Sequence, residues 1–136
     1  MDFRTYLKDH LTILDGGMGT LLQARGLKPG EFPELWNLSH PQDIVDIHCQ
    51  YLDAGCNIVT ANTFGAYRPR HGDKLESVIA AGLANAREAV SRFSGDRYMA
   101  YDMGSLGRML KPLGDLAFED AVEVFAQSVR IAVRHG

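Results

Sequence analysis

The stretch that decides the fold is Leu11-Thr12-Ile13-Leu14-Asp15-Gly16-Gly17-Met18-Gly19-Thr20. It begins with a short apolar, β-branched run, which ends in a carboxylate and is followed at once by glycines. The run predicts a buried strand, about Leu11–Leu14, that carries Asp15 at its carboxyl end. The glycines predict a tight turn whose backbone N–H groups are exposed where a helix begins.

The same order of strand, turn and helix recurs twice along the chain. A second predicted strand, Cys56–Ala61, ends in Asn62-Thr63-Phe64-Gly65, and a third, Arg97–Tyr101, ends in Asp102-Met103-Gly104. Strands that alternate with crossover helices form a parallel sheet, and ligands bind at the carboxyl ends of such strands. The pattern therefore predicts an α/β fold of about three βα units. The side chains with candidate chemistry at the three strand ends are Asp15, Asn62, Thr63 and Asp102.

The segments between the strands predict helices with one apolar face. The predicted helices are Met18–Arg25, a helix from Pro41 to Gly55, Lys74–Phe93 capped by Asp73, and Leu116–His135 capped by Asp115. The last helix has a predicted buried face of Phe118, Ala121, Val122, Phe125, Val129, Ala132 and Val133. The remaining long segments, Leu27–Leu38 and Ala66–Gly72, are predicted to be loops.

Composition excludes several classes of protein. The 136 residues are 46% hydrophobic and 23% charged, with a net charge of -3. The charge gives no basic surface for nucleic acid, and no apolar run approaches the roughly 20 residues of a membrane span. The polar N-terminal segment lacks the apolar core of a signal peptide. We therefore expect a cytoplasmic protein with no nucleic-acid or membrane partner.

The cysteines and histidines do not have the spacing of a metal site. Cys49 and Cys56 form neither a CxxC pair nor a disulfide framework, and no HxH or HExxH motif occurs. Cys56 opens the second predicted strand, on the order of 20 Å from Asn62 at about 3.3 Å per residue. Three arginines that follow strand ends could either meet an anionic substrate or face solvent: Arg68, Arg70 and Arg108.

Each strand-end motif also has a simpler interpretation. The Asp15–Thr20 loop could hold an anion or fix an amine through Asp15, or Asp15 could only cap the next helix. The segment Asn62–Gly65 could hydrogen-bond a ligand or only form a turn. The first loop matches neither GxGxxG nor GxxxxGK[ST], so nucleotide binding is weakly supported.

Four stretches taken together resemble the homocysteine S-methyltransferase family, and most closely the N-terminal homocysteine-binding domain of the cobalamin-dependent methionine synthases. They are Leu14-Asp15-Gly16-Gly17-Met18-Gly19-Thr20, Glu34-Leu35-Trp36-Asn37, the run from Tyr51 to Ala66, and Leu110-Lys111-Pro112-Leu113-Gly114-Asp115. The resemblance spans nearly the whole chain. It implies a (β/α)₈ barrel, of which residues 1–136 would be the N-terminal part.

The resemblance also implies an activity. In the family, zinc held by three cysteine thiolates activates the homocysteine thiol, which takes a methyl group and becomes methionine. Close relatives carry that methyl group on cobalamin recharged from methyltetrahydrofolate. By resemblance Asp15 would bind the substrate amine and the backbone of Gly17, Met18 and Gly19 its carboxylate. Asn62 and Thr63 would line the pocket, and Asp102 joins them as the third strand end.

Two departures from the family qualify these expectations. The third strand end reads Gly104-Ser105-Leu106-Gly107 where the family usually has Gly-Pro, and neither cysteine matches a zinc ligand of the family. A full barrel takes about 250 residues and eight strands. We therefore expect a barrel fragment that has no metal ligands and is inactive alone. We expect it to pair with the rest of a barrel, with further methionine synthase domains, or with a second copy as a homo-oligomer.

Two alternatives remain open at this point. One is a non-catalytic homocysteine-binding or assembly module, and the other is an unrelated α/β domain that binds phosphate through the Asp15–Thr20 loop. The methyl source also stays open among cobalamin, folate, betaine and S-methylmethionine.

Overall fold

Helices pack around a short parallel sheet in this protein, whose computed structural model describes residues 1–136. The elements are α1 (Phe3–Asp9), α2 (Gly19–Ala24), α3 (Trp36–Ser39), α4 (Pro41–Asp53), β1 (Ile58–Thr60), α5 (Arg68–His71), α6 (Leu75–Ser91), β2 (Tyr98–Ala100) and α7 (Phe118–His135). Single 3₁₀ turns at Pro33–Leu35 and Gly72–Lys74 lead into α3 and α6. None of the helices combines the length and apolar character that crossing a bilayer requires.

The sheet consists of β1 and β2, which run parallel. Ile58 pairs with Tyr98 and Thr60 with Ala100, and helix α6 forms the crossover between the strands. The parallel α/β arrangement predicted from the sequence is therefore confirmed. Both strands are shorter than the predicted Cys56–Ala61 and Arg97–Tyr101, because regular pairing covers only the central residues.

The prediction that Leu11–Leu14 forms a buried strand is wrong. Only Leu14 forms a bridge, a parallel one to Ile58, and the main chain donates from Asp15 N to Ile58 O at 3.0 Å. Leu11 is 86% exposed and Ile13 51% exposed. The segment runs beside β1 in the expected direction, but its apolar side chains have no packing neighbours that bury them.

The core lies between the sheet and the helices α4, α6 and α7. Its largest cluster joins residues of these elements and of the segments on either side of β1: Val45, Leu52, Cys56, Val59, Ala61, Ala66, Leu75, Val78, Ile79, Leu83, Ala86, Ala89, Ile131 and Ala132. A second cluster lies between α2 and α4 and contains Leu22, Leu27, Trp36, Ile44 and Ile47. The crossover helices are thus fixed against the strands whose ends they connect.

Several predicted helix boundaries need correction. Helix α1 was not predicted, and Asp2 caps it by accepting from Thr5 N at 3.1 Å. The prediction that Asp73 and Asp115 cap helices is wrong, since Lys74 and Ala117 precede α6 and α7. The two aspartates instead form ion pairs, Asp73 with Arg68 at 2.7 Å and Asp115 with Arg108 at 2.8 Å. The predicted loops contain helical turns, α3 with its 3₁₀ turn in Leu27–Leu38 and α5 in Ala66–Gly72.

The predicted buried face of α7 is only partly buried. Ala121 and Ala132 lie in the core, but Phe118 is 65% exposed and Val133 75% exposed, and Val122 and Val129 are also exposed. Periodicity identified the apolar face of the helix correctly. Burial of that face also requires a neighbouring element, and none packs over this part of α7.

Gly82 lets α6 approach the end of β1, and we predict that Gly82→Ala destabilises the fold. An added Cβ would lie 2.8 Å from Asn37 Nδ2 and 3.0 Å from Thr63 Cγ2. Alanine gains about 1 kcal/mol in helix propensity, but overpacking in a core typically costs about 1–3 kcal/mol. We expect a net loss of up to about 2 kcal/mol in the free energy of unfolding, measured by urea denaturation.

The control for Gly82→Ala is Ala84→Gly, two residues along the same helix on its exposed side. It reports helix propensity without the packing contact and should lose about 1 kcal/mol. A stabilised Gly82→Ala variant would show that the approach of α6 to Asn37 and Thr63 is not tight.

Candidate functional site

A cavity of about 390 Å³ opens at the carboxyl ends of the strands. Five of the residues predicted from the sequence line it: Gly17, Met18, Gly19, Asn62 and Asp102. The other lining residues are Gly16, Pro33, Glu34, Thr60, Ala61, Phe64 and Arg70. The three strand-end segments therefore meet at one place, as expected of parallel strands.

Asp15 connects the loop of residues 16–19, called the glycine loop below, to β1. Its two carboxylate oxygens accept from Thr60 N at 2.8 Å and from Thr60 Oγ1 at 3.0 Å. Asp15 does not itself line the cavity. Each carboxylate oxygen can accept a second hydrogen bond, so this anchoring role leaves acceptor capacity for a ligand.

Tyr51 of α4 fixes the glycine loop from the other side. Its hydroxyl donates to Gly17 O at 2.8 Å, and a Cβ on Gly16 would lie 2.9 Å from the same hydroxyl oxygen. Close contact with the ring therefore requires glycine at position 16. The N–H groups of Gly17, Met18 and Gly19 donate no hydrogen bond within the chain and remain available at the cavity wall.

Asn62 is held by a buried amide network that the sequence did not reveal. Its Nδ2 donates to Asn37 Oδ1 and to Pro33 O, each at 2.9 Å. Asn37 Nδ2 donates in turn to Asn62 O at 2.8 Å and to Val78 O at 3.2 Å. Asn37 and Asn62 are almost fully buried, so this reciprocal pair fixes the end of β1 against α3 and α6.

Thr63 connects the ends of the two strands instead of lining the cavity. Its hydroxyl donates to Asp102 O at 3.0 Å and lies 3.2 Å from Asp102 N, which donates to it. The side chain is fully buried. Thr63 therefore sets where Asp102 stands relative to the β1 end.

The two aspartates at the strand ends share an environment that raises the pKa of both carboxyl groups. Burial raises the pKa of Asp102, and burial together with the nearby negative charge of Asp102 raises the pKa of Asp15. Hydrogen bonds from Thr60 oppose the rise at Asp15. A cationic group bound between these carboxylates would relieve their repulsion.

Two further charged residues line the cavity, Glu34 and Arg70. The sequence offers Arg70 as one of three arginines that either meet an anionic substrate or face solvent, but it gives no site role to Glu34. Glu34 is 2% exposed, and its Oε1 accepts from Gly65 N at 2.6 Å, while Oε2 faces His71 Nε2 at 3.6 Å. Burial raises the pKa of Glu34, but His71 and the backbone hydrogen bonds outweigh burial, so its net pKa is lowered. The signal in the sequence is the Glu34-Leu35-Trp36-Asn37 motif, which lies in a predicted loop.

The cysteines lie away from the cavity wall. Cys49 is in α4, and Cys56 is buried in the core just before β1. Burial raises the pKa of the Cys56 thiol, with a further rise from the negative charge of Asp15. No group of three or more His, Cys, Asp and Glu side chains is arranged to hold a metal ion.

A solved structure with the same fold covers most of the chain. The metallated form of the homocysteine methyltransferase MmuM from Escherichia coli matches with a TM-score of 0.79 at 21% identity, over 98% of this chain and 54% of that protein. Its apo form matches with a TM-score of 0.72, over 98% of this chain and 48% of that protein. At this identity the match shows the fold alone, and the chain spans about half of the solved protein.

Two curated relatives are much longer than this chain. The methionine synthase of Mycobacterium tuberculosis is 30% identical over 117 residues, which cover 78% of this chain and 10% of the relative. The methionine synthase of Mycobacterium leprae is 27% identical over 140 residues, covering 93% of this chain and 12% of the relative. The chain thus spans about a tenth of the curated relatives it matches.

The model of the homocysteine S-methyltransferase family matches residues 12–136, a range that includes all three strand-end segments of the cavity. The order of the motifs, the parallel strands and the strand-end cavity agree with that match. The chain belongs to the homocysteine S-methyltransferase family.

Proposed function

We propose that the strand-end cavity binds homocysteine and that the protein takes part in transfer of a methyl group to the homocysteine thiol, which forms methionine. The observation that carries the proposal is the meeting of the glycine loop, Asn62 and Asp102 around one cavity of about 390 Å³. Its size suits a small amino acid, and its wall offers both acceptors and donors. Family membership supplies the reaction class.

Each end of the amino acid has a complementary group in the cavity. The substrate ammonium would lie near the carboxylates of Asp102 and Asp15, whose raised pKa values fall back when a cation is bound. The free N–H groups of Gly17, Met18 and Gly19 would donate to the substrate carboxylate. Asn62 would shape the wall between them, and Thr63 would keep Asp102 in place.

The reaction needs the thiol as a nucleophile, and a free thiol has a pKa of about 8.5. In the family zinc would lower that pKa, and in a methionine synthase-like protein cobalamin and methyltetrahydrofolate would supply the methyl group. The residues of this chain do not fit a metal, since no cluster of ligating side chains is present. We therefore assign this chain the binding and orientation of homocysteine.

We further propose that residues 1–136 form the N-terminal part of a (β/α)₈ barrel. The parallel pair β1 and β2, the strand-like segment at Leu14 and the match to half of a solved homocysteine methyltransferase support it. The exposed apolar face of α7 would then be covered by the rest of a barrel, by further domains or by a second copy. In isolation we expect no methyl transfer by this chain.

Binding of homocysteine should depend on Asp102. We expect Asp102→Asn to raise the dissociation constant about tenfold, because it removes one charge-assisted contact to the ammonium group. Titration calorimetry under reducing conditions measures the constant. The control is Asp115→Asn, which removes an exposed carboxylate paired with Arg108 and should leave affinity unchanged.

The same titrations separate the proposal from its rivals. Homocysteine binding that is weakened about tenfold in Asp102→Asn supports the proposal. In a separate turnover assay, methyl transfer by the chain alone would overturn its inactivity in isolation. A protein that binds inorganic phosphate and not homocysteine would instead support the phosphate-binding alternative.

A further inference from the structure

The three arginines that follow strand ends, Arg68, Arg70 and Arg108, differ in their ion pairs in the structure, although the sequence does not distinguish them. Arg68 pairs with Asp73 at 2.7 Å and Arg108 pairs with Asp115 at 2.8 Å, both on the surface. The guanidinium of Arg70 has no ion pair and donates no hydrogen bond, and it lines the strand-end cavity. Of these three residues, only Arg70 presents an uncommitted positive charge to the proposed substrate.

Arg70 is held in this position by two features of the surrounding chain. Its guanidinium carbon lies 5.0 Å from the centre of the Phe32 ring, within the range of a cation–π contact. On its other side is Gly65, where an added Cβ would overlap Nη1 of Arg70 and lie 2.6 Å from Glu34 Oε1. The space that a side chain at position 65 would fill is therefore occupied by the guanidinium and by Glu34.

The charge of the cavity explains why a cation is needed there. The lining contains two carboxylates, Glu34 and Asp102, and Arg70 is its one cationic side chain. The N–H groups of the glycine loop can donate hydrogen bonds but carry no net charge. Without Arg70, a ligand carboxylate would enter a cavity whose charged groups are all negative, and repulsion in a partly buried site is costly.

We propose that Arg70 recognises the carboxylate of the amino-acid substrate and makes the cavity selective for a zwitterion over a simple amine. This inference rests on the proposed binding of homocysteine. Asp102 in the cavity wall, with Asp15 behind it, suits the ammonium group, and Arg70 supplies a positive charge for the carboxylate in the same wall. A guanidinium is suited to this role because its donors match both oxygens of a carboxylate.

The test compares two ligands and three variants by titration calorimetry. The ligands are homocysteine and decarboxylated homocysteine, which keeps the thiol and the amine. We expect Arg70→Met to weaken homocysteine about tenfold or more and to leave the decarboxylated ligand unchanged, since only the former loses a charge-assisted contact. Arg70→Lys should retain part of the homocysteine affinity because it keeps the charge.

The matched control is Arg68→Met, on the same short helix but paired with Asp73 outside the cavity. It should not change affinity for either ligand.

If the wild-type protein binds homocysteine and Arg70→Met binds it equally well, the role of Arg70 is overturned while the proposed function stands. If the wild-type protein binds neither ligand, the proposed function fails and this inference fails with it. Equal loss of both ligands in Arg70→Met would also overturn carboxylate recognition, since it would indicate general damage to the cavity.

Discussion

Asn37→Ala is expected to lower the free energy of unfolding by about 3–4 kcal/mol, one of the largest effects of a single substitution in this chain. The side chain makes three buried hydrogen bonds, with Asn62 O, Val78 O and Asn62 Nδ2. Its removal leaves Asn62 O without this donor and one N–H of Asn62 Nδ2 without an acceptor, and each buried group left unpaired costs about 1–3 kcal/mol. Urea unfolding followed by circular dichroism measures the loss.

The control for Asn37→Ala is Asn57→Ala. The Asn57 side chain also bridges two segments, accepting from Ile13 N at 3.0 Å and donating to the Tyr6 hydroxyl at 3.1 Å. It is only half-buried, so water can replace these partners and the expected loss is about 1 kcal/mol. Equal losses in the two variants would show that the Asn37–Asn62 network is no stronger than an ordinary partly exposed contact.

The strand-end residues could be predicted from the sequence because their positions follow from periodicity and topology alone. An apolar run followed by glycine marks a strand end, and crossover helices make the strands parallel, so Asn62 and Asp102 had to share an edge. The burial of the first run, Leu11–Leu14, could not be predicted in this way. Periodicity shows that a segment is apolar, but exposure of 86% at Leu11 depends on whether a neighbour covers it.

The remaining part of the cavity comes from a segment with no periodic pattern. The loop that contains Pro29, Gly30 and Pro33 has no regular spacing of apolar residues, so the sequence does not predict which of its side chains are buried. Glu34 and Asn37 are buried because they hydrogen-bond to Gly65 and Asn62, which lie 31 and 25 residues further along the chain. Contacts between such distant segments cannot be predicted from local sequence. A charged or amide side chain in a loop is normally exposed, so tertiary contacts decide its role here.

These contacts also connect the stability of the fold to its proposed activity. The Asn37 network fixes Asn62, Thr63 fixes Asp102, and Asp15 fixes the glycine loop through Thr60. Each cavity segment is thus attached to the sheet by a side chain whose partners lie on another segment. We infer that the cavity is preorganised before a ligand enters, so that little binding energy is spent on ordering it.

The second large effect concerns His48 and acid. His48 lies in α4 with no exposed surface, and neither ring nitrogen has a hydrogen-bond partner. Burial lowers its pKa from the ordinary 6.5 to about 4. Between these two values the unfolded chain binds a proton that the folded chain does not, so stability falls as the pH drops. The contribution of His48 to this loss is about 3 kcal/mol, complete below about pH 4.

His48→Leu should remove that contribution. At pH 7.5 the variant is expected to be as stable as the wild type or slightly more stable, because it removes two buried polar atoms without partners. Between pH 6.5 and pH 4 its free energy of unfolding should fall less steeply than that of the wild type, measured by urea denaturation at each pH. Carboxylates and other histidines titrate in both proteins, so the difference between the two curves isolates His48.

His10→Gln provides the control, since it removes an exposed imidazole and so reports the loss of a histidine outside the core. A His48→Leu variant whose curve runs parallel to that of the wild type over the whole range would contradict the argument. It would mean that the protonated imidazole finds water or an acceptor in the folded state. The direction of the effect is the decisive observation, because burial of a neutral histidine can only make the fold less stable as acid is added.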